Sequence, residues 1–207
     1  IEASKSLDFE GVLTHAGHSY HLHTTEERKE LYHETARRMG SVRDAVLDAG
    51  VERCEVSVGD TPTIMAVERY EGVDEVRPGN LVYFDSQQYH IGSCTEEQIA
   101  AAVACPVVAV HPERGEAILY GGAIHLSAQA EQHPNGGKMH GYAVPLLNGG
   151  ESPRGASESG EGASPGWGQI DPDSYVRKVS QEHGIVRCAP ALLETLRPGD
   201  LLGVIPA

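Results

Sequence analysis

Gly11-Val12-Leu13-Thr14-His15-Ala16-Gly17-His18-Ser19-Tyr20 decides how this chain is read. A short apolar run, Val12 and Leu13, stops abruptly in residues that stack, donate and accept. A strand with a site at its C-terminal end has this profile. In open α/β sheets and in (β/α)8 barrels, ligands bind at that end. The pattern recurs twice. Val56-Ser57-Val58-Gly59-Asp60-Thr61-Pro62-Thr63 runs from a strand into a hydroxyl-rich turn. Glu75-Val76-Arg77-Pro78-Gly79-Asn80-Leu81-Val82-Tyr83-Phe84-Asp85 carries a Pro-Gly-Asn bend. Three polar strand ends can converge on one anionic small molecule.

Working outward, residues 8–16 are predicted to form a short buried strand and Thr24 to Gly50 a helix. Thr24 with Glu27 three residues later fits a capping box, which satisfies two orphan backbone N–H groups. Leu31, Thr35, Met39, Val42, Val46 and Ala49 recur every three to four residues, which predicts one buried face. Gly40 interrupts this face, and Gly50 is a natural stop. Cys54 to Val58 is the next strand. Thr61-Pro62-Thr63 caps a helical stretch from Thr63 to Tyr70, with Pro62 near its first turn. Residues 80–85 are predicted to be a third strand. This βαβαβ order argues for a parallel sheet or part of a barrel.

Beyond residue 90 the pattern becomes mainly β. Strands at Val103–Val110 and Glu116–Gly121 flank the turn His111-Pro112-Glu113-Arg114-Gly115. Lys138 to Leu147 is another strand. Val186, a short helix Ala189–Thr195, the turn Arg197-Pro198-Gly199-Asp200 and a strand Leu201–Ile205 close the chain. Glu151 to Gly168, rich in Gly, Ser, Pro and Glu, reads as a mobile loop (151–168). The fold class is therefore α/β plus β, with domains over 1–90 and 91–207 and no internal repeat.

The bulk numbers narrow the function. A chain of 207 residues supports one large domain or two small ones. Its formal charge of −14 argues against nucleic acid as a partner, and the dispersed acids read as solubility. Cys54, Cys94, Cys105 and Cys188 form no C-x-x-C pair, so neither a disulfide scaffold nor a zinc ribbon is indicated. A reducing cytoplasm is the simplest compartment. No apolar run reaches transmembrane length, so no membrane partner is expected. The chain starts at Ile1 and ends in Gly203-Val204-Ile205-Pro206-Ala207, which reads as a strand caught mid-fold. Both ends are expected to be cuts in a longer chain.

Four constellations carry candidate chemistry. His15, His18, His21 and His23 have spacings that chelate zinc, but no Asp or Glu lies within the cluster to orient the rings. His15 as a ring packed beside a ligand, with His21 and His23 on the surface, is the preferred reading. Gly59-Asp60-Thr61-Pro62-Thr63 is either a phosphate-binding turn or an ordinary helix cap. At Arg77-Pro78-Gly79-Asn80, Gly79 permits close backbone approach and Arg77 offers a fixed positive donor, although a Pro-Gly turn is also a common strand entry. Glu182-His183 in the loop Ser180–Gly184 is either a base or a structural hydrogen-bonding knot. No Gly-x-Ser-x-Gly, Walker loop or Gly-x-Gly-x-x-Gly is present.

Together these strand ends resemble the fold-type III pyridoxal-phosphate enzymes, the alanine-racemase-like barrels. The D-serine dehydratase and D-threonine aldolase family among them is the best fit. The motifs are His15–Tyr20, Val58–Thr63, Arg77–Asp85, Gln181-Glu182-His183-Gly184 and Arg197–Pro206, in order across nearly the whole chain. The resemblance implies the C-terminal half of a (β/α)8 barrel that binds pyridoxal 5'-phosphate, followed by a mainly β domain. It implies cofactor contacts from His15, Tyr20, Thr61, Arg77, Gly79 and Asn80, with His15 on the pyridine ring. Thr61 and the N–H groups of Gly79 and Asn80 would hold the phosphate. Arg77 would face the pyridine nitrogen and leave it unprotonated, which weakens the electron sink.

In this chain Lys5, Lys29, Lys138 and Lys178 do not sit in the context of the family's Schiff-base lysine, which is expected upstream. The family's divalent metal pair (zinc or manganese), His-x-Cys in dehydratases or His-x-Asp in aldolases, is expected just after Ala207. No metal ligands and no catalytic residue other than His183 are therefore expected here. Asp60 stands where the family has serine, and Leu13 where a tyrosine is common. The implied activity is a metal-assisted lyase acting on D-β-hydroxy amino acids, D-serine or D-threonine. It would be a cytoplasmic homodimer, inactive as residues 1–207 alone. The alternatives are an amino-acid racemase of the same fold and a non-catalytic cofactor-binding protein.

Overall fold

The computed structural model describes residues 1, 4–146, 167 and 170–207. It divides into two compact units, one of residues 1–81 and 90–94, the other of 82–89 and 95–207. The boundary read from sequence near residue 90 falls inside this interleaved stretch. Almost all of the loop read at 151–168 lies outside the described residues.

The first unit is built on three parallel strands in the order β1 (Gly11–His15), β2 (Glu55–Gly59) and β3 (Glu75–Val76). Helix α1 (Thr25–Asp48) crosses from β1 to β2, and the short α2 (Thr61–Ala66) crosses from β2 to β3. The start of α1 is fixed as the sequence dictates: the Thr24 hydroxyl accepts from the Glu27 N–H, and the Glu27 carboxylate accepts from the Thr24 N–H. Its buried face differs from the predicted one. Arg28, Tyr32 and Ala36 are buried, whereas Val42 and Leu47 are exposed. Tyr32 wins the inward position because its ring packs with Val56, Val58 and Ile64 in this unit's core. Arg28 is satisfied in place by donating to the Leu22 carbonyl and the Thr25 hydroxyl.

Two further expectations are corrected. β1 is not buried: Leu13 is 70% exposed, because β1 pairs with β2 on one side and, among the described residues, with no strand on the other. The third strand is Glu75–Val76, and residues 79–83 turn instead of extending. Pro78 has no N–H to give a ladder, and the Asn80 N–H donates to the Thr61 hydroxyl at 3.2 Å rather than to a strand. The strand predicted over residues 80–85 is absent, and helix α3 (Ser86–Ile91) follows the turn.

The second unit is a closed barrel. In chain order its elements are β4 (Val103–His111), β5 (Glu116–Tyr120), the one-turn α4 (Ala123–Leu126), the hairpin β6 (Glu131–Gln132) and β7 (Lys138–Met139), β8 (Gly141–Leu146), β9 (Tyr175–Val179), β10 (His183–Arg187), α5 (Pro190–Thr195) and β11 (Leu201–Pro206). The barrel order is β10-β5-β4-β11-β8-β9, with antiparallel neighbours throughout. Closure gives each strand two partners and leaves no edge. Period-two alternation supplies the core: Cys105 and Val107 from β4, Ala117 and Leu119 from β5, Val186 from β10, and Leu202 and Val204 from β11. The β4–β5 turn is the one read from His111–Gly115, with a single 3-10 turn at Pro112–Arg114 and Gly115 left-handed.

Candidate functional site at three strand ends

The C-terminal ends of β1, β2 and β3 lie side by side because the strands are parallel and in register: His15 pairs with Gly59, and Val58 with Val76. His15 closes β1 and is exposed, and the chain then winds through a 3-10 turn, Gly17–His21. That turn brings Tyr20 back to His15, with ring centroids 6.4 Å apart and planes tilted by 37°. Ser19, inside the turn, is fully buried, and its hydroxyl has no hydrogen-bond partner among the described residues. His18, His21 and His23 are exposed. No group of three His, Cys, Asp or Glu side chains among the described residues is arranged to hold a metal ion.

At the end of β2 the structure builds a cap. Asp60 has φ 133°, and its carboxylate accepts from both the N–H and the hydroxyl of Thr63 at 2.8 Å. The cap is therefore Asp60, not Thr61, and the helix runs from Thr61 to Ala66 instead of Thr63 to Tyr70. Asp60 is the only member of the turn with two acceptor oxygens free to take both Thr63 donors. Thr61 is fully buried, and its hydroxyl joins the β2 end to the β3 end by accepting from the Asn80 N–H.

Arg77 ties all three ends together. Its N–H donates to the Val58 carbonyl at 2.8 Å. Its Nη2 donates to the Thr14 carbonyl at 2.8 Å and, at 3.4 Å, to that of Ser57. Its Nε donates to the Ser57 hydroxyl at 2.6 Å, and that hydroxyl donates to Glu75 Oε2 at 2.5 Å. Beside it, Gly79 is open: a Cβ built there would meet nothing within 4 Å.

The structure thus brings His15 to Tyr20, and Thr61 to Asn80 and Gly79, and it lays Arg77 across β1 and β2. His183 belongs to the other unit. It opens β10, exposed, with its ring edge-on to Tyr120 at 5.8 Å; His125 meets the same tyrosine at 5.2 Å. Its neighbour Ser180 closes the turn, with its hydroxyl accepting from the His183 N–H. Ser57 and Glu75 are the residues sequence reasoning missed; Gly59 was read as part of a phosphate-binding turn, and the structure sets it against Arg77 Nη1. A signal was present: Glu75 and Arg77 are two apart, so they leave the same face of an extended chain, and Ser57 interrupts an apolar strand.

Comparison with known proteins places this geometry. Residues 100–207 match the putative serine dehydratase domain, and residues 1–87 match the alanine racemase N-terminal domain. The chain belongs to the putative serine dehydratase domain family. A D-serine dehydratase of Dictyostelium discoideum is 33% identical over 132 residues, covering 61% of this chain and 33% of its own. The D-threo-3-hydroxyaspartate dehydratase of Delftia sp. (strain HT23) is 39% identical over 117 residues, covering 56% and 31%. Its solved structure matches with a TM-score of 0.71 at 30% identity, over 95% of this chain and 48% of that one. Two further matching structures, variants of a D-threo-3-hydroxyaspartate dehydratase, have a histidine or a cysteine changed to alanine, two positions apart, and the cysteine variant is in a metal-free form. An alanine-racemase-like protein of Idiomarina loihiensis matches with a TM-score of 0.75 at 24% identity, over 96% of this chain and 48% of that one. The fold is therefore alanine-racemase-like, a parallel α/β part followed by a β-barrel domain. This member of the family spans about half the length, or less, of the relatives it matches. No helix among its described residues is long and apolar enough to cross a membrane.

Proposed function

We propose that this chain is the C-terminal part of a pyridoxal-phosphate-dependent lyase that removes the hydroxyl from, or cleaves, a D-β-hydroxy amino acid. The observation that carries the reading is the convergence of three parallel strand ends on Arg77 in a chain whose named relatives are dehydratases of such substrates. The open edge of β1, with Leu13 exposed, suits further strands of a (β/α)8 barrel beside it.

Three observations support the fit to pyridoxal phosphate. His15 and Tyr20 present two rings at one strand end. The backbone at Gly79 is unobstructed, so a phosphate can come close to the N–H groups of Gly79 and Asn80. Arg77 offers a permanently charged donor to a ring nitrogen. Asn80 N–H is shared with Thr61 Oγ1, so Thr61 holds the phosphate loop in shape as well as lining it. The cofactor, when bound, supplies an electron sink for charge developing at the substrate α-carbon. Arg77, as a guanidinium donor beside the ring nitrogen of the bound cofactor, would leave that nitrogen unprotonated and would moderate the sink. A Schiff-base lysine upstream, and a zinc or manganese pair of the His-x-Cys or His-x-Asp type beyond Ala207, complete the site in this reading. The paired histidine and cysteine variants of a D-threo-3-hydroxyaspartate dehydratase support that pair. The protein is further proposed to be cytoplasmic and a homodimer.

An amino-acid racemase of the same fold is the second reading, favoured by the alanine racemase match over residues 1–87. One assay separates the two. The full-length parent protein is given D-serine, D-threonine and D-threo-3-hydroxyaspartate with and without chelator. Keto-acid release from D-serine or the hydroxyaspartate, or aldehyde release from D-threonine, lost on chelation and restored by zinc or manganese, is the expected result. Enantiomer exchange that ignores chelator replaces the lyase with a racemase.

A further inference from the structure

The strand pattern dictates a connected set that the proposed cofactor contacts leave out. Glu75 and Arg77 project from the same face of one extended segment, and the parallel register sets Ser57 opposite Glu75. The Ser57 hydroxyl has one proton, which goes to the Glu75 carboxylate, so its lone pairs turn toward Arg77 Nε. Both links involve an ionised partner, the stronger class of hydrogen bond. With Nη2 on the Thr14 carbonyl and, at 3.4 Å, on that of Ser57, the guanidinium is held by three hydrogen bonds to two strands, β1 and β2. Only Nη1 has no hydrogen-bond partner among the described residues. It lies against Gly59, where a Cβ would come within 3.1 Å of it.

We infer that Glu75, acting through Ser57, is a positioning residue that holds Arg77 so that Nη1 is presented to the pyridine nitrogen of pyridoxal phosphate. This rests on the cofactor reading above. The relay does not supply the charge, since a guanidinium is always protonated. It supplies direction. With the Glu75 charge removed, the Ser57 hydroxyl keeps at best a neutral acceptor, the weaker class of hydrogen bond, and is freer to rotate and to offer its proton toward Arg77, where no acceptor waits. The guanidinium then keeps only its backbone anchors and swings about Nη2. Gly59 is the complementary requirement, because a Cβ there would press on Nη1 at 3.1 Å and the guanidinium would have to give way.

The test uses the full-length parent protein loaded with pyridoxal phosphate. The absorbance spectrum of the bound cofactor is titrated with pH, and the cofactor dissociation constant is measured, for the native protein, Glu75→Gln, Ser57→Ala and Ser57→Thr. Glu75→Gln and Ser57→Ala are expected to move the pH midpoint of the cofactor absorbance by about half a unit or more, since hydrogen-bonded charges shift titrations on that scale. They are also expected to weaken cofactor retention several-fold. Ser57→Thr keeps the hydroxyl and should follow the native protein. Because Glu75 is exposed, Glu75→Gln folds normally, and its thermal unfolding serves as the control. A Glu75→Gln spectrum, midpoint and retention that overlay the native ones overturn the inference, as does a Ser57→Thr variant displaced as far as Ser57→Ala. A native protein that binds no pyridoxal phosphate overturns the cofactor reading itself, and is distinguished by that protein alone.

Discussion

The two units solve the problem of unpaired strands in opposite ways. The barrel closes six antiparallel strands on one another, buries Leu119, Val186, Leu202 and Val204 completely, and leaves no strand edge. The parallel unit leaves β1 with an open side and Leu13 exposed, yet it holds every candidate cofactor contact. A closed barrel meets its hydrogen-bonding needs internally, so it serves as framework. A short parallel sheet ends in a row of carbonyls, N–H groups and side chains that point one way, which is what a candidate site needs. The difference teaches that the closed framework and the candidate site lie in separate units of this chain.

That contrast can be broken at the barrel first. Gly141 has φ 132°, and a Cβ there would lie 2.2 Å from the Ile205 carbonyl oxygen on β11. Gly141→Ala is expected to cost roughly 4 kcal/mol or more, the range of strained or clashing core changes. Urea denaturation followed by circular dichroism measures it, and a midpoint close to the native one would show that the barrel seam yields. Leu202→Ala is next, at about 2–5 kcal/mol for a fully buried leucine. Its counterpart in the other unit, Leu13→Ser, should stay within about 0.5 kcal/mol because that side chain is exposed. Equal losses from the two leucines would erase the distinction.

A smaller effect sharpens the comparison on the parallel side. Thr24→Ala removes one half of the capping box and should destabilise α1 by about 1 kcal/mol. Hydrogen exchange should register it in residues 25–48 and leave the barrel strands unchanged. A further effect is alkaline. Burial pushes the Cys188 thiol up from 9.0 to about 11, and burial with the nearby Glu131 charge pushes Tyr142 up from 10.0 to about 12. Both groups ionise more readily in the unfolded chain, so the barrel's stability is full below pH 9 and declines as pH rises toward 11 and 12. Unfolding midpoints between pH 8 and 11 check the sign, and a rise in stability would reverse it. Over the same range, the less buried Cys94 should be alkylated before Cys188.

Much of the fold was legible because it depends on local chemistry. Thr24 and Glu27 announce α1, His111–Gly115 announces the β4–β5 turn, and Arg197–Asp200 the entry to β11. Each is written within a few residues. The misreadings lie where a distant partner decides. Leu31, Met39 and Val42 mark a helical stripe, but Tyr32 takes the inward place because the Val56–Val58 strand offers its ring a surface. Residues 80–85 have strand composition, yet Thr61 captures the Asn80 N–H and the chain turns.

By itself, the sequence determined three polar strand ends in βαβαβ order, a mainly β second half, and Arg77 and Gly79 as candidates at one bend, because periodicity, caps and turn residues act over short distances. Only the tertiary structure decided that the β strands close into a barrel, that β1 keeps an open side, and that Ser57 joins Glu75 to Arg77. Those outcomes rest on register between strands far apart in the chain, and register is fixed by which faces bury against each other, not by any residue alone.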